Sequence, residues 1–313
     1  MIAFIDEHRE TFGVEPMCRV LSEHGLHVAP STYYAAKTRP PSARALRDEQ
    51  LLIEIRRVWT ERRKGRRLYG ARKVWNELRR EGIEVARCTV ERIMRANGIV
   101  GARRDKGFKT TRLDPAAARP PDLVQRNFHA SKPNQLWVVD FTYVPTWSGM
   151  AFTAFVSDVF SRRIVGWRTA SSMPTELPLD ALKMALWTRD SNGEPVRGVI
   201  HHSDAGSQYT SIRYSNNLDD AGALASIGTV GDSFDNAMAE SVIGLYKREC
   251  VRHDGPFRTV DELELATLDW VDWFNHDRLH GALGHVPPVE FEAEHYRQIN
   301  AQQQPLLGEP SLH

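Results

Sequence analysis

Three acidic residues lie where an α/β chain could bring them together. Asp140 lies inside the apolar run WVVDFTYV, where a charge is costly unless something compensates it. Asp204 ends the short apolar stretch GVIHHSD, and Glu240 follows after 35 intervening residues, in the helical pattern SFDNAMAESVIGLYKREC. Converging carboxylates repel one another unless divalent cations neutralise them, and oxygen ligands are those that Mg²⁺ prefers. A metal site is therefore indicated if the two strands are neighbours and the helix crosses their ends.

Each acid also has an ordinary structural explanation. Asp140 could be a strand acid satisfied by hydrogen bonds, Asp204 the cap of the next helix, and Glu240 a solvated helix residue. The residues alone leave both interpretations open.

The second part of the chain contains the elements that must position these acids. NQLWVVDFTYV and MAFTAFVSDVFS are rich in β-branched and aromatic residues, and the turn PTWSG between them predicts a hairpin. Further strands are predicted over IVGWRTA, GVIHHSD and ALASIGTV, and the last two alternate with helical patterns. The pattern predicts an α/β fold, a mixed five-stranded sheet flanked by helices, over residues 131–295.

All-α segments precede this predicted core. Residues 1–37 carry short helical patterns similar to a helix-turn-helix, and the paired prolines of TRPPSARA indicate a linker after them. Residues 46–113 carry three stronger helical patterns and are predicted to be a basic helical DNA-binding domain. Residues 114–130 are a predicted linker, and residues 296–313 a predicted disordered tail.

Charge is divided unevenly along the chain. Residues 1–113 hold 25 Lys and Arg against 14 Asp and Glu, whereas residues 114–313 hold 16 against 26. This asymmetry indicates a polyanion bound at the front. Arg92 and Arg95 lie on a predicted recognition helix, with an ordinary surface helix as the alternative. The basic run is expected to bind the DNA backbone, and it consists of Arg62, Arg63, Lys64, Arg66 and Arg67.

Composition excludes several other classes of protein. A chain of 313 residues with 41% hydrophobic and 26% charged residues is typical of a soluble protein of two or three domains. No apolar run approaches the length that spans a bilayer, and the first ten residues contain acids, so we expect a cytoplasmic protein without a membrane partner. Three widely spaced cysteines argue against a disulfide framework or a zinc ribbon.

Four segments together resemble a known family: WVVDFTYV, HHSDAGSQYTS, DSFDNAMAESVIGLYKRE and WFNHDRLHGALGHVPP. They look like the DDE transposases of bacterial insertion sequences, specifically the OrfB half of the insertion-sequence-three family. That group is similar in its core to retroviral integrases and shares their ribonuclease H-like fold. The resemblance covers about residues 50 to 295, in the family's order and with its spacing from Asp204 to Glu240.

The resemblance implies roles for individual residues. Asp140, Asp204 and Glu240 become a triad that holds Mg²⁺ or Mn²⁺, two ions in all. Lys247, seven residues after Glu240, is placed to meet a DNA phosphate. Three further residues are implied to line the DNA path: Asn236, which could equally be a helix cap, Gln208 and Tyr209. Arg278 and His280 match a family motif whose chemical role the sequence does not reveal.

The implied function is metal-dependent DNA cleavage and strand transfer at the ends of an insertion sequence. Expected partners are the terminal inverted repeats, target DNA, an OrfA product or OrfA–OrfB fusion, and further copies of the chain on DNA in a bacterial nucleoid. Because the chain begins at the OrfB portion, one alternative is a DNA-binding regulator of transposition, catalytically incomplete without OrfA. Another is a ribonuclease H-like nuclease for RNA–DNA hybrids. The segment GTVGDSFDNA also lacks a basic residue common in the family.

Overall fold

The computed structural model describes residues 1–102, 124, 128–172, 176–194, 196–203, 212–227 and 237–303. Its contacts divide the chain into two units, Met1–Glu54 and Ile55–His313. The boundary differs from the predicted domain over 46–113, because residues from Ile55 onward belong to the same unit as the sheet. None of the helices in the described part of the chain is long and apolar enough to cross a membrane.

The first unit is helical, as predicted. It contains α1 (Ile2–Phe12), α2 (Val14–Glu23), α3 (Pro30–Thr38) and the start of α4 (Ala43–Thr60). Its small core consists of Ile5, Val14, Met17, Cys18, Val28 and Tyr33. Asp6 accepts hydrogen bonds from the Tyr33 hydroxyl at 2.8 Å and the Lys37 ammonium at 2.6 Å, so α1 and α3 are joined by polar contacts as well.

Two short helices open the second unit after α4. They are α5 (Ala71–Arg80) and α6 (Arg87–Ala96), and each buries an apolar stripe at helical spacing. Val74 and Leu78 form the stripe of α5, and Val90, Ile93 and Met94 form that of α6. The three helical patterns predicted for residues 46–100 are therefore confirmed.

A mixed five-stranded sheet forms the centre of the second unit. Its strands are β1 (Leu136–Thr146), β2 (Gly149–Asp158), β3 (Ile164–Ala170), β4 (Ile200–Ser203) and β5 (Leu224–Ile227). The order is β3-β2-β1-β4-β5, with β1 to β3 antiparallel in succession and with β4 and β5 parallel to β1. This arrangement confirms the predicted sheet and the ribonuclease H-like fold class.

Helices cover both faces of the sheet. Between the strands lie α7 (Glu176–Ser191) and α8 (Ile212–Asp220). After β5 come α9 (Ala237–Tyr246), a π-helical turn (Lys247–Val251), α10 (Arg252–Asp254), α11 (Val260–His276) and α12 (Pro288–Gln303). Trp137 and Val139 of β1 pack in one core with Leu182 of α7. Leu136 and Val138 face the other way, in a core with α9.

The predicted disordered tail is wrong for residues 296–303, which are the last half of α12. Residues 304–313 lie outside the described residues. The polar sequence YRQINAQQ gives no apolar stripe, so periodicity does not reveal this helix. Contacts made by Glu292, nearer the start of α12, hold the helix in place instead.

A buried network of charges fixes α12 to the end of α7. The Arg189 guanidinium lies 3.1 Å from Asp158 Oδ2 and 2.7 Å from Glu292 Oε1, and both carboxylates are buried with it. Ser161 donates a 2.6 Å hydrogen bond to Glu292. Burial and the nearby Glu292 carboxylate raise the pKa of Asp158 to about 6, although the charge of Arg189 opposes them. Arg189 therefore neutralises acids from two separate elements.

Replacement of Arg189 by Met should strongly destabilise the protein. The change leaves the buried Asp158 without its cation and leaves Glu292 with Arg163, 2.7 Å away, and breaking a buried pair by removing one partner typically costs about 3–5 kcal/mol. Arg168→Met is the matched control, because Arg168 is half exposed and its pair with Glu264 is worth about 0–1 kcal/mol. Urea denaturation measures both, and an equal loss in the two variants would contradict the importance of burial.

The buried His201 predicts a pH dependence of stability. Burial lowers the pKa of His201 to about 3, from an ordinary value of 6.5, and its Nε2 lies 2.9 Å from the Tyr214 hydroxyl. As the pH falls below 6.5 the unfolded chain takes up this proton first, so the stability contribution is lost between about pH 6.5 and 3.

Denaturation of His201→Gln as a function of pH tests this expectation. The Gln amide can keep the hydrogen bond to Tyr214, while the slope of unfolding free energy against pH should become shallower by up to about 1.4 kcal/mol per pH unit. His24→Gln, at an exposed position, is the control for loss of a histidine. A slope identical to that of the unmodified protein in His201→Gln would refute it.

Candidate active site

Asp140 lies on the central strand of the sheet, directly after a run of four buried residues. The four residues before it, Leu136 to Val139, are buried, whereas Asp140 is half-buried. The backbone N–H of Phe141 donates a 2.8 Å hydrogen bond to Asp140 Oδ1. This bond compensates part of the cost of the charge and fixes one carboxylate oxygen.

The helix that carries Glu240 packs on the same face of the sheet as Asp140. Side chains directly opposite in an antiparallel pair share a face, and Phe155 is the partner of Asp140. The Phe155 ring lies 4.9 Å from that of Tyr246, at the end of α9. Glu240 lies in the first turn of α9 and is exposed. The structure thus brings a half-buried and an exposed carboxylate to one side of the sheet.

The second acid of the predicted triad lies outside the described residues, as do Gln208, Tyr209 and Asn236. The strand that leads to Asp204 is described, and its last residue, Ser203, pairs in parallel with Val139. The two predicted strands are therefore neighbours, as the triad requires. Within the described part of the chain, no group of three His, Cys, Asp or Glu residues is arranged to hold a metal ion.

Lys247 is the first residue of the π-helical turn after α9. Its ammonium lies 5.1 Å from the centre of the Tyr143 ring, three residues beyond Asp140 on β1. A cation at this distance is attracted by the face of the ring. The contact holds Lys247 beside the strand that carries the first acid, and its role toward DNA stays a prediction.

Arg278 forms a buried ion pair with Glu249, which the sequence did not reveal. Its guanidinium donates two 2.7 Å hydrogen bonds to Glu249 in the π-helical turn, and both residues are buried. Burial alone would raise the pKa of Glu249, but the charge and hydrogen bonds of Arg278 hold it below its ordinary value. The motif therefore anchors the segment that follows α9, and no spacing rule in the sequence links these two residues.

His280 and Lys73 lie close to this pair. The His280 ring packs edge-on against Phe274 at 4.5 Å, and burial together with the charges of Arg278 and Lys73 lowers the pKa of His280. Desolvation, followed by the charge of Arg278, lowers the pKa of Lys73 to about 7. The neutral forms of His280 and Lys73 are favoured because burial penalises their charged forms and the charge of Arg278 repels them.

The basic run forms ion pairs inside the second unit. Arg62 lies 2.9 Å from Asp269, Arg63 lies 3.0 Å from Asp277, and Lys64 contacts Glu77 and Glu81. From the sequence alone, the positive charges of this run were predicted to bind a polyanion. In the folded protein, acids of the same unit neutralise part of that charge.

Arg66 and Arg67 differ from each other in exposure. Arg66 is 7% exposed and pairs with Asp254 at 2.9 Å and Asp269 at 2.8 Å, so a DNA contact by Arg66 would require both pairs to break. Arg67 is exposed, with φ of 59°.

The predicted recognition helix is α6. Its apolar stripe is buried, while Arg95 is exposed and Arg92 is half-buried. Arg87 at its start pairs with Glu91 at 3.1 Å. The helix thus presents a basic outer side, as predicted, and contact with bases stays a prediction.

Comparison with known proteins matches three parts of the chain to family models. Residues 130–233 and 222–288 match integrase core domains, and residues 46–107 match an HTH-like domain. A chain from Mycobacterium tuberculosis named as a transposase for insertion sequence element IS986/IS6110 is 54% identical over 90% of this chain and 100% of its own length. The transposase for IS629 from Shigella sonnei is 50% identical over 96% of this chain and 98% of its own.

The chain belongs to the insertion-sequence transposases. The integrase core makes this transposase a DNA-cutting enzyme, and the HTH-like segment supports DNA binding. A chain of a simian T-cell lymphotropic virus intasome is 14% identical, with a TM-score of 0.43 over 76% of this transposase and 74% of that chain.

Replacement of Arg278 alone should destabilise the transposase more than replacement of both Arg278 and its partner Glu249. Arg278→Met removes both short hydrogen bonds to the buried Glu249 and leaves it the more distant Arg248, at a cost of about 3–5 kcal/mol, whereas replacing both Arg278 and Glu249 by Met should restore most of that loss. Arg248→Met is the control, since Arg248 lies 3.7 Å from the same carboxylate and is more exposed. Urea denaturation that finds the double variant no more stable than Arg278→Met would contradict this account.

Proposed function

We propose that this chain catalyses metal-dependent DNA cleavage and strand transfer at the ends of an insertion sequence. Asp140, Asp204 and Glu240 form the metal-binding triad in this proposal. The observation that carries it is the packing of α9, with Glu240 in its first turn, on the sheet face that bears Asp140. Membership in the transposase family supports the same assignment.

The position of β4 supports the assignment of Asp204. Ser203 pairs with Val139, the residue before Asp140, and consecutive Cα atoms are about 3.8 Å apart. The strand that precedes Asp204 in the sequence is therefore the parallel neighbour of the strand that carries Asp140. Ligand sites in open sheets lie beyond the carboxyl ends of such parallel strands.

The donor set fits a hard divalent cation. All three side chains are carboxylates, and oxygen ligands with few geometric demands suit Mg²⁺ or Mn²⁺. Asp140, Asp204 and Glu240 would hold such ions, which when bound would supply activation of the attacking water or 3′-hydroxyl and stabilisation of the leaving oxygen. The half-buried Asp140 holds one ligand position on a strand, while the exposed Glu240 supplies another from a helix that its buried side fixes in place.

The remaining residues bind and orient DNA in this proposal. Lys247 contacts a phosphate close to the cleaved bond. Asn236, Gln208 and Tyr209 line the path of the strand. The outer side of α6, with Arg92 and Arg95, recognises the terminal inverted repeats. Of the basic run, Arg67 is the best placed to contact the DNA backbone, because it is exposed, whereas the exposed Arg62 and Arg63 are held by ion pairs. Target DNA, further copies of the chain and an OrfA product are the proposed partners.

Cleavage of DNA that carries the element's terminal repeats, with added Mg²⁺ or Mn²⁺, tests the triad. Asp140→Asn, Asp204→Asn and Glu240→Gln should each lower the cleavage rate by about 100-fold or more, since metal ions supply several kcal/mol of transition-state stabilisation. Affinity for the same DNA should remain. Mg²⁺ should also raise the melting temperature of the unmodified protein more than that of Asp140→Asn, because ligands stabilise the state that binds them.

Asp180→Asn is the matched control, an exposed acid on α7 away from β1. Full cleavage by one of the triad variants would remove that residue from the site. Cleavage should be measured with the chain alone and with an added OrfA segment. If neither reaction cleaves the DNA, the result favours the DNA-binding regulator. Cleavage of RNA–DNA hybrids without preference for terminal repeats would favour the hybrid nuclease.

A further inference from the structure

Two aromatic rings are exposed on the hairpin that follows Asp140. Trp147, in the turn between β1 and β2, is 73% exposed, and Tyr143 on β1 is 44% exposed. An exposed indole in a tight turn contributes nothing to a core. Large exposed rings of this kind are enriched where a protein binds a partner.

Each ring lies beside a cation. The Lys247 ammonium is 5.1 Å from the centre of the Tyr143 ring, and the Arg258 guanidinium is 6.0 Å from that of Trp147. Each exposed ring of the hairpin is therefore paired with a positive charge. This combination is complementary to nucleotides, whose bases stack on rings and whose phosphates are negative.

The turn that carries Trp147 is anchored by backbone hydrogen bonds. Trp147 N–H donates to the Phe257 carbonyl oxygen at 3.0 Å, and Ser148 N–H donates to that of Arg258, also at 3.0 Å. The Thr146 hydroxyl donates a 2.8 Å bond to the Gly149 carbonyl oxygen. The indole thus stands on a fixed support next to Arg258, so little conformational entropy is lost when a ligand stacks on it.

These rings lie along the hairpin beyond the first acid of the candidate active site. At about 3.4 Å per residue, Tyr143 lies about 10 Å from Asp140 along the strand, and the turn lies farther out. Because they are three positions apart, the Asp140 and Tyr143 side chains leave opposite faces of the sheet, and Lys247, which follows α9 on the Asp140 face, is the residue that contacts the Tyr143 ring. A DNA strand that runs from Asp140 past Lys247 toward the hairpin turn could therefore reach both rings with its next few nucleotides. Bases within a duplex are stacked on one another, so these rings can stack on bases only where the strand is unpaired.

We propose that Tyr143 and Trp147, with Lys247 and Arg258, bind unpaired nucleotides of a DNA strand next to the cleavage site. The proposal rests on the proposed function, because it takes Asp140 as the place of cleavage. It adds a substrate form, a frayed or single-stranded DNA end, to the recognition of duplex repeats. A second copy of the chain is the other occupant such a surface could take, and the same experiment distinguishes it.

Binding is measured in EDTA by fluorescence anisotropy, with a labelled oligothymidylate and a labelled blunt duplex as the two probes. Trp147→Ala should weaken oligothymidylate binding by about 5- to 150-fold, the range that stacking of one base gives, while duplex binding changes little. Trp147→Phe should retain most of the affinity, because a ring remains. Trp187→Ala is the matched control, since Trp187 on α7 is 70% exposed and no cation lies over its ring in the described residues.

An equal loss on both probes would overturn the proposal, as would an equal loss in Trp187→Ala. Unchanged binding together with a smaller sedimenting species in Trp147→Ala would overturn it in favour of a second copy. Because EDTA removes divalent metal, the result does not depend on the carboxylate triad. If the triad variants cleave DNA normally but Trp147→Ala still loses affinity for oligothymidylate alone, the proposed active site is wrong and the proposed binding surface stands.

Discussion

The packing of α9 against the sheet is the contact on which the candidate active site depends. Tyr246 is the centre of this contact, because its ring lies against Phe155 and its hydroxyl lies 2.7 Å from Thr267 of α11 and 3.4 Å from Thr153 of β2. One buried side chain thus joins the sheet, α9 and α11. Burial of its hydroxyl is tolerated because both threonines are hydrogen-bond partners. The opposite side of α9 remains exposed, and it carries Glu240.

Buried guanidinium groups hold the C-terminal helices against this core. Arg189 joins the ends of β2, α7 and α12, and Arg278 joins the loop after α11 to the π-helical turn. Ion pairs of this kind offer little net stability compared with apolar side chains, but their donors and acceptors meet in few arrangements. These ion pairs therefore restrict the positions and orientations of α12 and the π-helical turn. Apolar contacts alone restrict them less, because such contacts are not directional.

Much of the fold can be predicted from the sequence because its signals are local. The β-branched runs, the short turn and the helical stripes each depend on neighbouring residues, and the structure confirms them. Two of the three acids can be placed for the same reason, since Asp140 interrupts a strand and Glu240 lies in a helix. The partner of Arg278 could not be predicted, because Glu249 is 29 residues away along the chain and nothing local pairs them. The excess of positive charge at the front of the chain also could not distinguish residues that bind DNA from residues that pair within the protein. Arg66, for example, pairs with Asp254 and Asp269 in the folded protein.

The ion pairs between the basic run and α11 limit how such transposases can exchange their parts. The HTH-like segment and the integrase core are separate family models, yet from Ile55 onward they share one folded unit. A recombination event that replaced residues 46–107 with those of a distant relative would leave Asp254, Asp269 and Asp277 facing whatever that relative carries. If α6 contacts the terminal repeats as proposed, specificity for a new DNA sequence is more readily acquired by changes on its outer side, where Arg95 is exposed and the buried stripe need not change.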